Sequence, residues 1–247
     1  SGLDYEIRKE SEYGLQNVGG VITCYERLIE TTKAHQHFAK TLASSLRFNE
    51  PVTQVEQFPD RVVVNGEEYD YLVNCTYQSF LPCSQWKITY EPCVTMMYEG
   101  NEDQPALTMM DGPFFTIYPF ERNLFSVYSV SDTPLGQFEN HRAALYRLES
   151  VNRREIRELT QKLEALIVEY YPAFPERFKF SHTSNTVRMK ITCRSDARYC
   201  DVFQQGRTFQ ILSGKIDMIF TAADQVFDLI HTGTPSYTKS LSINPTA

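Results

Sequence analysis

Ser213-Gly214-Lys215-Ile216, set between a short apolar run and an amphipathic segment, is the part of this chain best suited to cradling an anion. A helix that starts directly after a glycine turn aims unpaired backbone N–H groups and the positive end of its dipole at whatever lies above it, and Lys215 adds a full charge. The segment is not a Walker-type phosphate loop. Ile216 stands where that motif needs Ser or Thr for magnesium, and no glycine opens the loop. The plain alternative is a capped helix packed on a sheet. Arg188 and Arg198 form the second feature, because a guanidinium gives two parallel hydrogen bonds to a carboxylate or phosphate. Their structural alternatives are a pair between Arg198 and Asp196 or Asp201, and an exposed strand position for Arg188. Tyr118 and Tyr128 fall in a β-rich stretch and offer hydroxyls to the same substrate.

Other chemistries find no constellation. His35 and His37 sit at i and i+2 on different faces of a helix, so a metal pair there is excluded and no metal site is expected. His141, His182 and His231 are scattered, with neither a GxSxG elbow nor an HExxH run to join. No general acid, base or nucleophile is assigned.

These residues must be positioned by a chain of 247 residues with 42% hydrophobic and 22% charged composition, enough for one large domain or two small ones. A net charge of -7 argues against nucleic acid as a partner. No apolar run reaches the roughly 20 residues that cross a bilayer. Six cysteines with no CxxC pair point to reduced thiols and a cytoplasmic setting.

Residues 3 to 10 read as a strand, and Gly19-Gly20 leads into a helix reaching about Leu46. Residues 52 to 58, 61 to 65 and 68 to 76 read as short strands, the last two joined by the hairpin signal Asn65-Gly66. Residues 90 to 130 are aromatic and β-rich, which predicts a mixed or antiparallel sheet able to wall a pocket. Residues 138 to 171 predict one long helix, stopped by Pro172 and Pro175. A strand at 186 to 192, a strand from 208 and a helix follow; Ile216, Ile219, Phe220, Ala223, Phe227 and Ile230 would pin that helix to a core. The polar tail after Gly233 is expected to fray. The fold class is therefore α/β in the broad α+β sense, a largely antiparallel sheet with flanking helices plus a C-terminal strand-turn-helix.

Four segments, in this order, resemble the later part of an FAD-dependent oxidoreductase of the D-amino-acid oxidase and glycerol-3-phosphate dehydrogenase superfamily. They are YDYLVNCTY (69 to 77), MDGPFFTIYPF (110 to 120) with VYSVSDTPLG, VRMKITCRSDAR (187 to 198) and ILSGKIDMIFTAAD (211 to 224). The resemblance implies FAD as cofactor, with Asn74, Cys75 and Thr76 beside the nucleotide and Ser213, Gly214, Lys215 and Ile216 under the flavin pyrimidine ring. It also implies an arginine, Arg188 or Arg198, near a small anionic substrate, and oxidation of an amine or hydroxyl carbon by hydride transfer. Family members begin with a GxGxxG strand-turn-helix, and Gly19-Gly20 lacks that spacing. The chain thus resembles a member without its N-terminal nucleotide-binding segment, with a separate segment or polypeptide as a partner. The expected division is 1–76 as a junction, 77–185 as the substrate sheet and long helix, 186–233 as the C-terminal part of the FAD domain, and 234–247 as tail. The rival expectation is a non-catalytic ligand-binding or protein-interaction module on the same scaffold.

Overall fold

The alternation expected of a half-buried sheet is strictest in LFSVYS, where Phe125, Val127 and Ser129 are buried while Leu124, Ser126 and Tyr128 are half-exposed. The computed structural model describes residues 4–25, 28–82, 87–101, 103–110, 112, 114–191, 200–213 and 216–232. The chain forms two compact units, one of residues 1–46 and 90–188, the other of residues 47–89 and 189–247. Neither is contiguous in sequence.

The first unit opens with β1 (Tyr5–Arg8) paired antiparallel to β2 (Val21–Cys24). Here the structure corrects the expected helix after Gly19-Gly20. The β-branched run Val21-Ile22-Thr23 favours extended backbone, and β1 supplies the hydrogen-bonding edge. The helix begins later, as α1 (Thr31–Thr41), followed by a 3₁₀ turn at Ala43–Ser45.

In the second unit, β3 (Val55–Gln57), β4 (Val62–Val64) and β5 (Glu67–Tyr69) form an antiparallel sheet. Asn65 and Gly66 take the positive φ values of 51° and 87° that a two-residue hairpin of this hand requires, as the sequence indicated. The strand expected over 68 to 76 divides into β5 and β6 (Leu72–Asn74), which join different sheets.

The large sheet has the order β11-β7-β10-β9-β8. It is built from β7 (Ile88–Glu99), β8 (Leu107–Thr108), β9 (Phe115–Glu121), β10 (Leu124–Ser129) and β11 (Lys179–Ile191). The pairings β7/β10, β10/β9 and β9/β8 are antiparallel, which bears out the predicted sheet. Val94, Met96, Tyr98, Phe115, Ile117, Phe125 and Val127 point to one face and form a core with Leu163, Ile167, Phe174 and Phe178.

That core is covered by helices. The single helix expected over 138 to 171 is two, α2 (His141–Glu149) and α3 (Arg153–Tyr170), followed by the single turn α4 (Phe174–Arg177). The break has a local cause: Asn152 Oδ1 accepts the backbone N–H of Arg154 at 3.0 Å and of Glu155 at 3.1 Å, a side-chain cap that starts a new helix. Asn152→Ala is expected to cost about 1 kcal/mol, measured by urea denaturation, and Asn152→Ser much less.

Lys162 on α3 lies 2.6 Å from Asp132, whose carboxylate also accepts from Ser129 and Ser131. Burial works against the charged Asp132, but the Lys162 and serine donors outweigh it and hold its pKa below the ordinary value. A depressed folded-state pKa gives stability that is present above the unfolded carboxylate pKa and is lost as pH falls through the folded one. Asp132→Asn should therefore lower the melting temperature at pH 7, with the difference from the native chain shrinking as pH falls through the folded-state carboxylate pKa.

The second unit is completed by β12 (Cys200–Gln205), β13 (Thr208–Ser213), a 3₁₀ turn at Ile216–Met218 and α5 (Ile219–Thr232). Its sheet has the order β12-β13-β6, with β12/β13 antiparallel and β13/β6 parallel. The apolar stripe expected to anchor α5 is corrected. Ala222, Gln225 and Val226 are the buried positions, while Ile216, Ile219, Phe220 and Phe227 are exposed and Ile230 is only partly covered. The helix carries apolar residues on more than one side, so periodicity alone did not identify the inward one.

Candidate functional site

Two clusters gather the residues singled out by sequence, one in each unit. The first is on the face of the large sheet turned away from α3. Successive side chains of a strand alternate between faces, so with Val94, Phe115, Ile117, Phe125, Val127 and Val187 on the core side, Glu91, Cys93, Tyr118, Tyr128 and Arg188 share the other. Arg188 on β11, Glu91 on β7 and Tyr128 on β10 come from three adjacent strands.

Arg188 Nη2 donates to Glu91 Oε2 at 2.9 Å, and Gln137 Nε2 donates to Glu91 Oε1 at 2.9 Å. Both carboxylate oxygens of Glu91, 3% exposed, thus accept from donors, the pattern of an ionised group. The Arg188 guanidinium lies over the Tyr128 ring, 5.0 Å from its centroid, an attractive cation–π contact. Burial opposes the Arg188 charge, but Cys93, Tyr128 and Glu91 outweigh it and raise the pKa above the ordinary value. Burial likewise pushes the Tyr128 phenol up, with Arg188 pulling it back, so the hydroxyl remains a donor at neutral pH.

Two buried polar atoms in this cluster have no hydrogen bond of good geometry among the described residues: Arg188 Nε and Tyr128 Oη. The Thr133 hydroxyl, which donates to the Ser129 carbonyl, lies close enough to Tyr128 to pull its phenol pKa down. Buried donors of this kind are uncommon and mark a place for an acceptor. Glu91 is the residue that sequence reasoning missed. A lone glutamate in a β-rich run gives no signal of its pairing, although its position between apolar residues of a central strand was a clue. Tyr118 is on the same face, on the more distant strand β9, opposite Ser126 rather than Tyr128. Arg198 lies outside the described residues.

The second cluster sits at the carboxyl end of the parallel pair β6 and β13. Asn74 is paired with Gln210 in the ladder, so Cys75 and Thr76 leave the sheet beside the strand that ends at Ser213. Sequence positions more than 130 apart thereby meet at the end where open sheets with parallel strands receive ligands. Asn74 is spent on structure: Nδ2 donates to Gln210 Oε1 at 2.8 Å and the Phe80 carbonyl at 2.7 Å, while Oδ1 accepts from the Thr76 N–H at 3.1 Å and its hydroxyl at 2.7 Å. This brace shapes a loop in which Tyr77, Gln78 and Leu81 all have positive φ, a concentration of backbone strain of the sort that persists where the surroundings over-determine it. Gln78 is fully buried, with Nε2 donating to the Ile211 carbonyl at 3.2 Å.

Cys75 and Thr76 are exposed at this end. Desolvation raises the Cys75 thiol, so it is not an activated nucleophile. Gly214 and Lys215 lie outside the described residues, and Ile216 opens the 3₁₀ turn before α5. The Thr76 hydroxyl is already engaged, donating to Asn74 Oδ1 and accepting from the Phe80 N–H, so what this end presents among the described residues is a strained loop beside a parallel strand end. It contains no glycine-rich cradle for a pyrophosphate. Among the described residues no group of three or more His, Cys, Asp or Glu is arranged to hold a metal, and no helix is long and apolar enough to cross a membrane.

The fold is similar to that of the FAD-dependent oxidoreductase PA4991 of Pseudomonas aeruginosa, which superposes with a TM-score of 0.59 at 15% identity, over 96% of this chain and 70% of that one. Among curated proteins the chain is similar to the FAD-dependent monooxygenase FPY4 of Fusarium mangiferae, at 33% identity over 231 residues, 93% of this chain and 62% of the relative. It is also similar to the FAD-dependent monooxygenase kojA of Aspergillus flavus, at 26% identity over 186 residues, 71% of this chain and 43% of the relative. No family model matches. The chain therefore spans less than two thirds of the length of these curated relatives.

Proposed function

We propose that this chain is the substrate-binding and C-terminal portion of an FAD-dependent oxidoreductase of the D-amino-acid oxidase and glycerol-3-phosphate dehydrogenase type, working in a reducing, cytoplasmic setting. The observation that carries the cofactor half of this reading is the parallel pairing of β6 and β13, which sets the loop at 75 to 81 beside the end of β13. Cys75, Thr76 and the 213 to 216 segment would hold the cofactor's edge, and a GxGxxG segment, in the same polypeptide or a separate one, would hold the pyrophosphate. When bound, the flavin supplies the acceptor for a hydride from an amine or hydroxyl carbon.

The protein's own share is binding and orientation. Arg188 Nε and Tyr128 Oη offer two donors to an acceptor on the substrate, Glu91 fixes the guanidinium, and Gln137 fixes Glu91. Arg188, braced by Glu91, and Arg198 stay the candidate contacts for a small anionic substrate.

The test is the visible spectrum of the chain joined to a nucleotide-binding segment of a relative, after incubation with FAD and removal of free cofactor. A retained flavin band, bleached anaerobically by substrate in the native chain but not in Arg188→Met, is the expected result. A colourless protein would sink the reading and favour a non-catalytic binding module.

A further inference from the structure

The turn that follows β6 has a geometry its own residues do not favour. Tyr77 and Gln78 take φ values of 54° and 59°, and the Ser79 N–H donates to the Thr76 carbonyl at 3.1 Å, the signature of a turn with two left-handed central residues. The hairpin at Asn65-Gly66 also has positive φ at both central positions, with residues suited to it. For a tyrosine and a glutamine the same backbone is strained, and such strain persists only where neighbouring groups fix it.

A distant strand supplies that hold. Gln210 on β13, 5% exposed, stands opposite Asn74 in the parallel ladder. Its Oε1 accepts from Asn74 Nδ2 at 2.8 Å and, at the longer distance of 3.5 Å, from Gln78 Nε2. One oxygen thus reaches both the residue that opens the loop and a residue inside the turn. Asn74 carries the hold to the far end, where Nδ2 also donates to the carbonyls of Phe80 at 2.7 Å and Leu81 at 3.4 Å, and Leu81 again has positive φ. Asn74, Gln78 and Gln210 are all buried, so water does not readily replace a lost acceptor. We propose, resting on the reading of residues 75 to 81 as a cofactor contact, that Gln210 is a positioning residue for the cofactor: its side-chain oxygen holds the strained turn in the form that meets the ligand. Gln210 acts only through the loop.

Hydrogen exchange of the full chain reads the turn without any cofactor. Thr76, Ser79 and Phe80 have bonded amides within the loop. Gln210→Met, which removes the oxygen and keeps the length of the side chain, is expected to speed exchange at these three amides by about tenfold or more, with the β12–β13 ladder little changed. Tyr77→Asn gives the turn a residue at ease with positive φ, at the cost of the 3.3 Å bond from the Tyr77 hydroxyl to the Met189 carbonyl, and should recover part of that protection in the Gln210→Met background. In the chain joined to a nucleotide-binding segment, Gln210→Met should weaken FAD about tenfold by fluorescence titration, and the added Tyr77→Asn should restore part of the affinity. Lost packing around Gln210 would not respond to a change of turn residue, so absence of rescue would overturn the positioning role. Equal speeding of the loop and the β12–β13 ladder, or a loosened loop with unchanged FAD affinity, would overturn it as well. Failure of the native joined chain to retain FAD would sink the cofactor reading before any variant is compared, and the positioning role with it. Should Gln210→Met fail to fold by circular dichroism, Tyr77→Asn in the native background decides: slower exchange at Ser79 and Phe80 is expected, and unchanged or faster exchange would overturn the strained turn.

Discussion

Glu91→Ala is expected to destabilise the protein by about 2 to 4 kcal/mol, because it leaves the Arg188 guanidinium partly buried without its carboxylate. The figure is set below that for a fully buried pair, since 26% of the Arg188 side chain remains in contact with solvent and water can recover part of the loss. Gln137 loses its acceptor as well, but it is exposed, so water replaces that bond at little cost. The double variant Glu91→Ala, Arg188→Met should be more stable than Glu91→Ala alone, since it removes the stranded charge and keeps most of the side-chain volume on the sheet. Urea denaturation of the four members of this cycle gives the coupling directly. Additive effects would mean that the two side chains are near each other without depending on each other, and the role given to Glu91 would fall.

That pair marks the limit of what the sequence showed. Arg188, Tyr118 and Tyr128 were legible as polar residues in strands of a β-rich stretch, and alternation correctly grouped them on one face once the register was known. Register is the missing knowledge. Nothing in MDGPFFTIYPF or VRMKITCRSDAR states that β11 lies against β7, and without that order Glu91 has no visible relation to Arg188. The hairpin at Asn65-Gly66 was legible for the opposite reason: its conformation is fixed by two adjacent residues and needs no distant partner.

The same distinction explains the helical errors. Val21–Cys24 became a strand because Tyr5–Arg8 is available to pair with it, a nonlocal fact that overrides the apolar spacing read as a helix. The long helix broke at Asn152, where an asparagine cap was present in the sequence but ran against an otherwise continuous helical pattern. On α5 the inward face carries Ala222, Gln225 and Val226, a less apolar set than the outward one, so ranking faces by hydrophobicity chose the wrong side. The segments at 74 to 76 and 213 to 216 were picked by resemblance; the structure adds that β6 pairs in parallel with β13, which sets Asn74 beside Gln210.

Phe174→Ala is expected to cost about 3 to 5 kcal/mol, the range for removing a buried aromatic ring. Phe174 is 1% exposed, meets Tyr98 edge-on at 5.1 Å and stacks on Phe178 at 4.9 Å, and Phe178 in turn meets Phe125 edge-on at 5.1 Å. The chain of rings ends above Gly100, where an added Cβ would come within 2.7 Å of Phe178 Cδ1 and 3.2 Å of Phe125 Cε2. Gly100→Ala is thus an overpacking change, expected to cost about 1 to 3 kcal/mol alone. In the Phe174→Ala background the Phe178 ring gains vacated space to lean into, so the added methyl should cost less there. The double variant should be more stable than the sum of the two single losses predicts, by about 1 kcal/mol in a denaturation cycle. Strict additivity would mean that Phe178 is held by Phe125 and Tyr171 rather than by Phe174, and that the aromatic cluster is rigid at its Gly100 end whatever happens at α4.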